Sequence, residues 1–83
     1  MVFFATTRKG FDEYIALNVT APLWLSASVS NGYEVRRLRD AGKNVTTFDY
    51  EINSSDAEVL ADAIDTIREH HPRDSIWADV YSP

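Results

Sequence analysis

The sequence predicts a small α/β or α+β domain with the element order β-α-β-α-β-α-β, built on a four-stranded sheet with three helices mainly on one face. Three observations lead there. Apolar or alternating runs of strand length recur at residues 2–7, 23–29, 46–52 and 76–81. Between them lie stretches in which apolar residues return every three or four positions, the mark of an amphipathic helix. Turn and stop residues, among them Asn18, Pro22, Gly42 and Pro72, punctuate the junctions. Strands that alternate with helices in this way read as crossovers over one sheet. Three short helices cover one face more readily than two, so a two-layer sandwich with a partly open face is the leading arrangement, and a doubly wound three-layer sheet is the alternative.

Residues 2–7 are apolar and β-branched without polar alternation, as expected of a central strand. Residues 10–17 follow as a short helix with Phe11, Ile15 and Tyr14 inward and Asp12 and Glu13 near its positive end; Asn18 is its expected left-handed terminator. Leu23, Leu25, Ala27 and Val29 alternate with Trp24, Ser26 and Ser28 in the second strand. Asn31 and Glu34 form a capping box that opens a second helix, with Val35, Leu38 and Ala41 inward, Arg36, Arg37 and Arg39 outward, and Gly42 as the stop. Thr46, Phe48, Tyr50 and Ile52 alternate with Thr47, Asp49 and Glu51 in a half-buried third strand. Ser55 and Glu58 read as a second capping box. The helix they start buries Leu60, Ala63, Ile64 and Ile67, with Val59 on the flank, and stops before Pro72. Ile76, Ala78 and Val80 alternate with Trp77, Asp79 and Tyr81 in the last strand.

The last helix carries the most informative surface. Glu58, Asp62, Asp65 and Glu69 line its outer side, and only Arg68 interrupts them. Like charges at these spacings destabilise a helix by about 0.2 to 0.5 kcal/mol per pair. The positive helix end accounts for Glu58 but not for Glu69, which sits at the negative end. The stripe is therefore either a solvated face of an acidic chain or a surface for a basic partner.

Charge across the whole chain points the same way. Up to Phe48 six basic residues meet four acidic ones, and from Asp49 onward two meet nine, so the net charge of −5 resides in the second half. Such a balance disfavours direct nucleic-acid or anionic-membrane binding, both of which rely on Lys and Arg to displace counterions. A protein with a basic surface is the expected partner, with a homo-oligomer as a further reading. Eighty-three residues suggest one domain able to bury about 60 to 65% of its unfolded surface. The absence of Cys removes thiol nucleophiles and thiolate metal sites and fits a cytoplasmic setting. The four apolar residues near Met1 are too few for a signal peptide, so the three Asn-x-Ser/Thr tripeptides read as turn chemistry.

No cofactor or metal is expected. The three glycines are too far apart for a phosphate loop, and no Gly-x-Ser-x-Gly occurs. His70 and His71 are adjacent, about 100° apart on a helix, and serve better as a C-terminal cap than as a metal pair. The expectation is a non-enzymatic acidic binding module, an inhibitor or immunity or anti-defence type of protein that sets carboxylates on a basic, nucleic-acid-handling partner. Its contact residues are expected to be Asp49, Glu51, Glu58, Asp62, Asp65 and Glu69. If one sheet face is open, Trp24, Trp77 and Tyr81 could join Ser26, Ser28, Asp49, Glu51 and Asp79 there, with Trp77 as an aromatic anchor. The alternative is a small anion-binding regulatory domain or enzyme using the strand-to-helix loop Ser28, Ser30, Asn31 and Gly32, with Arg36 adding charge.

Overall fold

The predicted alternation of elements is present. Strands β1 (Val2–Ala5), β2 (Leu23–Leu25), β3 (Val45–Thr47) and β4 (Ile76–Ala78) are separated by helices α1 (Arg8–Leu17), α2 (Gly32–Asp40) and α3 (Ala57–His70). The computed structural model describes residues 1–79, so the expected strand positions Val80 and Tyr81 lie outside the described residues. All neighbouring strands pair in parallel, in the order β3-β2-β1-β4. Phe3 stands opposite Leu23 on one side and Trp77 on the other, and Leu23 stands opposite Val45. β1 is thus central, as its unbroken apolar run requires.

Side-chain alternation sorts the core into two halves. Phe3, Ala5, Leu23, Leu25 and Val45 pack with Phe11 and Tyr14 of α1 and Val35 of α2. Val2, Phe4 and Trp24 pack on the other face with Ala63 and Ile67 of α3, joined by Phe48 and Ile52. Two helices share one face and the third covers the other, so the expected open face is closed and the doubly wound arrangement applies. Strand order is the reason. The chain steps outward from β1 to β2 to β3, then returns across the sheet to β4. Crossovers of one hand place helices on opposite faces when the direction of travel reverses.

That third layer relocates the residues expected on an open face. Trp24 is only 5% exposed and lies under the end of α3, 5.4 Å from the ring of His70 and 6.0 Å from that of His71. Trp77 points to the opposite face, where it stacks on Phe3 at a centroid distance of 4.0 Å. The two tryptophans therefore do not share a surface. Asp79 is buried, and Ser26 is fully buried.

Local corrections follow from side-chain competition for backbone groups. α1 begins earlier than expected because Thr7 is its N-cap: the Thr7 hydroxyl accepts from Gly10 N–H at 3.1 Å. Ile15 is 45% exposed, and Phe11 and Tyr14 form the inward side. The expected Ser55–Glu58 capping box does not form. Asp56 caps α3 by accepting from Val59 N–H, while the Ser55 hydroxyl donates to Asn53. A carboxylate at this end also meets the helix dipole, which a hydroxyl does not. β2 and β3 are shorter than the alternation suggested. Beyond Leu25 the pairing becomes irregular: Ala27 N–H donates to the Tyr50 carbonyl at 3.2 Å, Ile52 N–H donates to the Ser26 hydroxyl at 2.8 Å, and the Tyr50 side chain is 41% exposed. The Asn31–Glu34 box, the left-handed Asn18 at φ 49° and the α3 apolar stripe are as expected.

Candidate functional site

α3 presents its carboxylates to solvent. Burial of Ala63 and Ile67 fixes the helix rotation, with Val59, Leu60 and Ile64 half-buried beside them. Glu58, Asp62, Asp65 and Glu69 consequently face outward along about 17 Å of helix axis. Among the described residues, no ion pair joins any of the four to a cation. Two acids on the opposite side of the sheet, Glu34 and Asp12, are paired. Arg8 bridges α1 and α2 through Glu34, with Nη1 donating to Oε1 at 2.7 Å and Nη2 to Oε2 at 2.6 Å, and its Nε lies 3.3 Å from Asp12. Asp49 is exposed in the loop that leads to α3. Glu51 is exposed but tied to the loop after β2, accepting from the Ser26 hydroxyl at 3.4 Å and from the Ser28 hydroxyl. Trp77 sits across the sheet from α3 and belongs to neither group.

The carboxyl ends of the strands hold a second polar cluster. Strand order reverses between β1 and β4, the place where open parallel sheets leave a crevice. Here Asp79 fills the position. Its Oδ1 accepts from Thr6 N–H at 2.6 Å and from the Thr6 hydroxyl at 2.8 Å; its Oδ2 accepts from Thr7 N–H at 3.0 Å and from the Thr7 hydroxyl at 2.6 Å. The carboxylate thus lies against the N-terminus of α1, so close that a Cβ on Gly10 would fall 1.9 Å from Oδ2. A shallow pocket of about 260 Å³ adjoins it, lined by Thr6, Thr7, Glu51, Ile52, Asn53 and Ser54. No family model, curated protein or solved structure matches the chain.

The loop considered for an anion is occupied from within. Asn31 accepts from Glu34 N–H at 2.9 Å, and Glu34 Oε1 accepts from Asn31 N–H at 3.1 Å. The Ser28 hydroxyl donates to Glu51, Gly32 opens α2, and Arg36 is exposed on its outer side. The Ser30 hydroxyl is buried without a hydrogen-bond partner. An incoming anion would face both Glu34 and Glu51. His70 Nδ1 lies 3.0 Å from the Thr66 carbonyl, and His71 Nδ1 lies 3.6 Å from Asp74, so each ring serves the end of α3. No helix among the described residues is long and apolar enough to cross a membrane.

The Arg8–Glu34 pair makes a pH prediction. Arg8, followed by the Asn31 N–H, holds the Glu34 carboxyl down from 4.5 to about 2. Because the folded value is depressed, the stabilisation is complete above about pH 4.5 and is lost as pH falls through about 2. A side-chain carbonyl titration by NMR should give a Glu34 midpoint near 2, and Arg8→Ala should move it toward the ordinary range. A wild-type midpoint at the ordinary value would rule the pair out in solution.

Proposed function

We propose that the protein is a non-enzymatic binding module that docks the acidic face of α3 on a basic surface of another protein. What supports this reading is one arrangement: Glu58, Asp62, Asp65 and Glu69 stand in a single exposed row on one helix, without an ion-pair partner among the described residues. Four carboxylates held in a row by a rigid helix are preorganised, so a partner bears little ordering cost in meeting them. Exposed Asp49 lies in the loop that leads to α3 and adds a further carboxylate, while Glu51 holds the loop after β2. A nucleic-acid-handling protein is the natural basic partner, since its groove is shaped for a row of negative charge. Inhibitors, immunity proteins and anti-defence proteins of the cytoplasm form the functional class, by analogy of charge and size.

The test is a pull-down from cell lysate at low and at raised salt, run beside the triple reversal Asp62→Lys, Asp65→Lys and Glu69→Lys. The expected result is one basic protein retained at low salt, lost as salt rises, and not retained by the reversed chain. Rate measurements on that partner should place most of the loss in association, because exposed charges act through steering. The reversal should leave the melting temperature within a few degrees of wild type, since all three residues are in solvent. Equal capture by the wild-type and reversed chains would eliminate the α3 reading.

A further inference from the structure

The start of α2 places one reactive pair of residues in solvent. Of the four asparagines in the chain, Asn18 and Asn44 precede valines, Asn53 precedes a serine, and only Asn31 precedes a glycine. That neighbour decides what an asparagine can do to itself. The backbone nitrogen of the following residue is a nucleophile within reach of the side-chain amide carbon. A side chain on that residue obstructs the approach, and glycine has none. Asn31 and Gly32 are both exposed, and a Cβ on Gly32 would meet nothing within 4 Å. Gly32 is also the first residue of α2, so its N–H has no acceptor within the helix.

The other asparagines are less favourably placed. Asn18 is the left-handed terminator of α1 at φ 49°, ahead of the β-branched Val19, and the Val45 that follows Asn44 is buried in β3. The Asn53 side-chain oxygen accepts from both the N–H and the hydroxyl of Ser55. Asn31 is held too, but at a point that opens. Its Oδ1 accepts from Glu34 N–H at 2.9 Å, so the side chain is engaged with the third residue of the helix and not with Gly32. Glu34 Oε1 accepts in return from Asn31 N–H at 3.1 Å, and Glu34 is itself clamped by Arg8. These bonds lie at an exposed helix end, where local opening requires far less free energy than global unfolding.

We propose that Asn31–Gly32 is a self-modification site, a deamidation switch gated by the α2 capping box. When the box opens, the Gly32 nitrogen loses its proton to hydroxide and attacks Asn31 Cγ. A bond forms between them as the bond from Cγ to the amide nitrogen breaks, and that nitrogen leaves as ammonia, taking up a proton from water. The product is a five-membered succinimide. Water then adds to one of its two carbonyl carbons, cleaves the bond from that carbon to the Gly32 nitrogen, and leaves an aspartate or an isoaspartate at position 31. Aspartate keeps an acceptor for Glu34 N–H and suits the positive end of the helix. Isoaspartate carries the chain through the former side-chain carbon, one methylene longer, so the two bonds of the box no longer share a register. The change falls where Arg8 ties α2 to α1 through Glu34, and it does not rest on the α3 reading.

The test is incubation of the full chain in mildly alkaline buffer, with and without urea, followed over weeks by peptide mass spectrometry and an isoaspartate assay. Position 31 should be the first asparagine to gain the mass of an amide-to-acid conversion, in the folded chain and, faster, in urea. Gly32→Ala should nearly abolish that gain; alanine fits the open space and is the better helix residue, so the variant folds. Arg8→Ala should speed the gain in the folded chain by about two- to fivefold, the range set by an exposed ion pair, and leave the rate in urea unchanged. Chains bearing isoaspartate should melt about 4 to 8 °C lower, as for a lost cap, whereas Asn31→Asp should melt near wild type. A folded chain that stays intact at position 31 overturns the proposal, as does earlier conversion of Asn53, an undiminished rate in Gly32→Ala, or a folded Arg8→Ala chain that reacts no faster than wild type.

Discussion

Replacing Asp79 with Ala should lower the unfolding free energy by about 3 kcal/mol, read from urea titrations of the variant beside wild type. The carboxylate is 7% exposed and accepts four hydrogen bonds, two of them from the backbone N–H groups of Thr6 and Thr7. Alanine leaves those donors unpaired at the joint of β1, α1 and β4. For a chain of this size the loss corresponds to a fall of about 12 to 24 °C in melting temperature. Asp79→Asn should fall between the two, because its amide has only one accepting oxygen. Gly10→Ala is the sharper companion. In a helix interior this change ordinarily stabilises by up to about 1 kcal/mol. Here the new Cβ would lie 1.9 Å from Oδ2 and 2.8 Å from the Asp79 Cβ, so destabilisation is expected instead. A neutral or stabilising Gly10→Ala would mean that α1 does not rest on Asp79.

Ile67→Ala should cost about 2 to 5 kcal/mol, because its side chain is fully buried against the sheet and its removal leaves a cavity. A double-mutant cycle turns this into a test of the third layer. Phe4 shares the α3 cluster, and Phe3, its neighbour in sequence, belongs to the α1–α2 cluster. Ile67→Ala should therefore couple to Phe4→Ala by about 0.5 to 3 kcal/mol and add independently to a Phe3 substitution. Coupling to Phe3 in place of Phe4 would put α3 on the other face and disprove the doubly wound arrangement.

The helix boundaries show where local sequence is sufficient and where it fails. Asn31 and Glu34 cap α2 as their spacing predicts, because no other group competes for the same N–H donors. Ser55 and Glu58 have the same spacing but lose to Asp56, one residue on, whose carboxylate caps α3 directly. Residues 2–7 read as one apolar and β-branched run, which hides Thr7 as a cap. A Thr-Thr pair just before Arg-Lys-Gly-Phe was the available signal. Its weight becomes evident only once Asp79, 72 positions away, reaches both threonines. The candidate surface divides in the same manner. The α3 stripe was legible because helical periodicity alone places Glu58, Asp62, Asp65 and Glu69 opposite the buried Ala63 and Ile67. Glu51 and Trp77 were not, since their directions depend on where β2 and β3 end and on which sheet face α1 covers.

By itself, the sequence determined a mixed helix and strand domain, the order of the seven elements, and the apolar and acidic sides of α3. All of these follow from apolar periodicity within a few residues, which neighbours in space do not override here. Only the tertiary structure decided the strand order β3-β2-β1-β4 and, with it, the side on which each helix lies. The alternation of apolar residues says that a strand has two faces without saying which helix covers which, and both faces of β1 and β2 are apolar. The return across the sheet from β3 to β4 settles that choice. It sends α3 to its own face, buries Trp24 beneath it, and brings Asp79 to the N-terminus of α1.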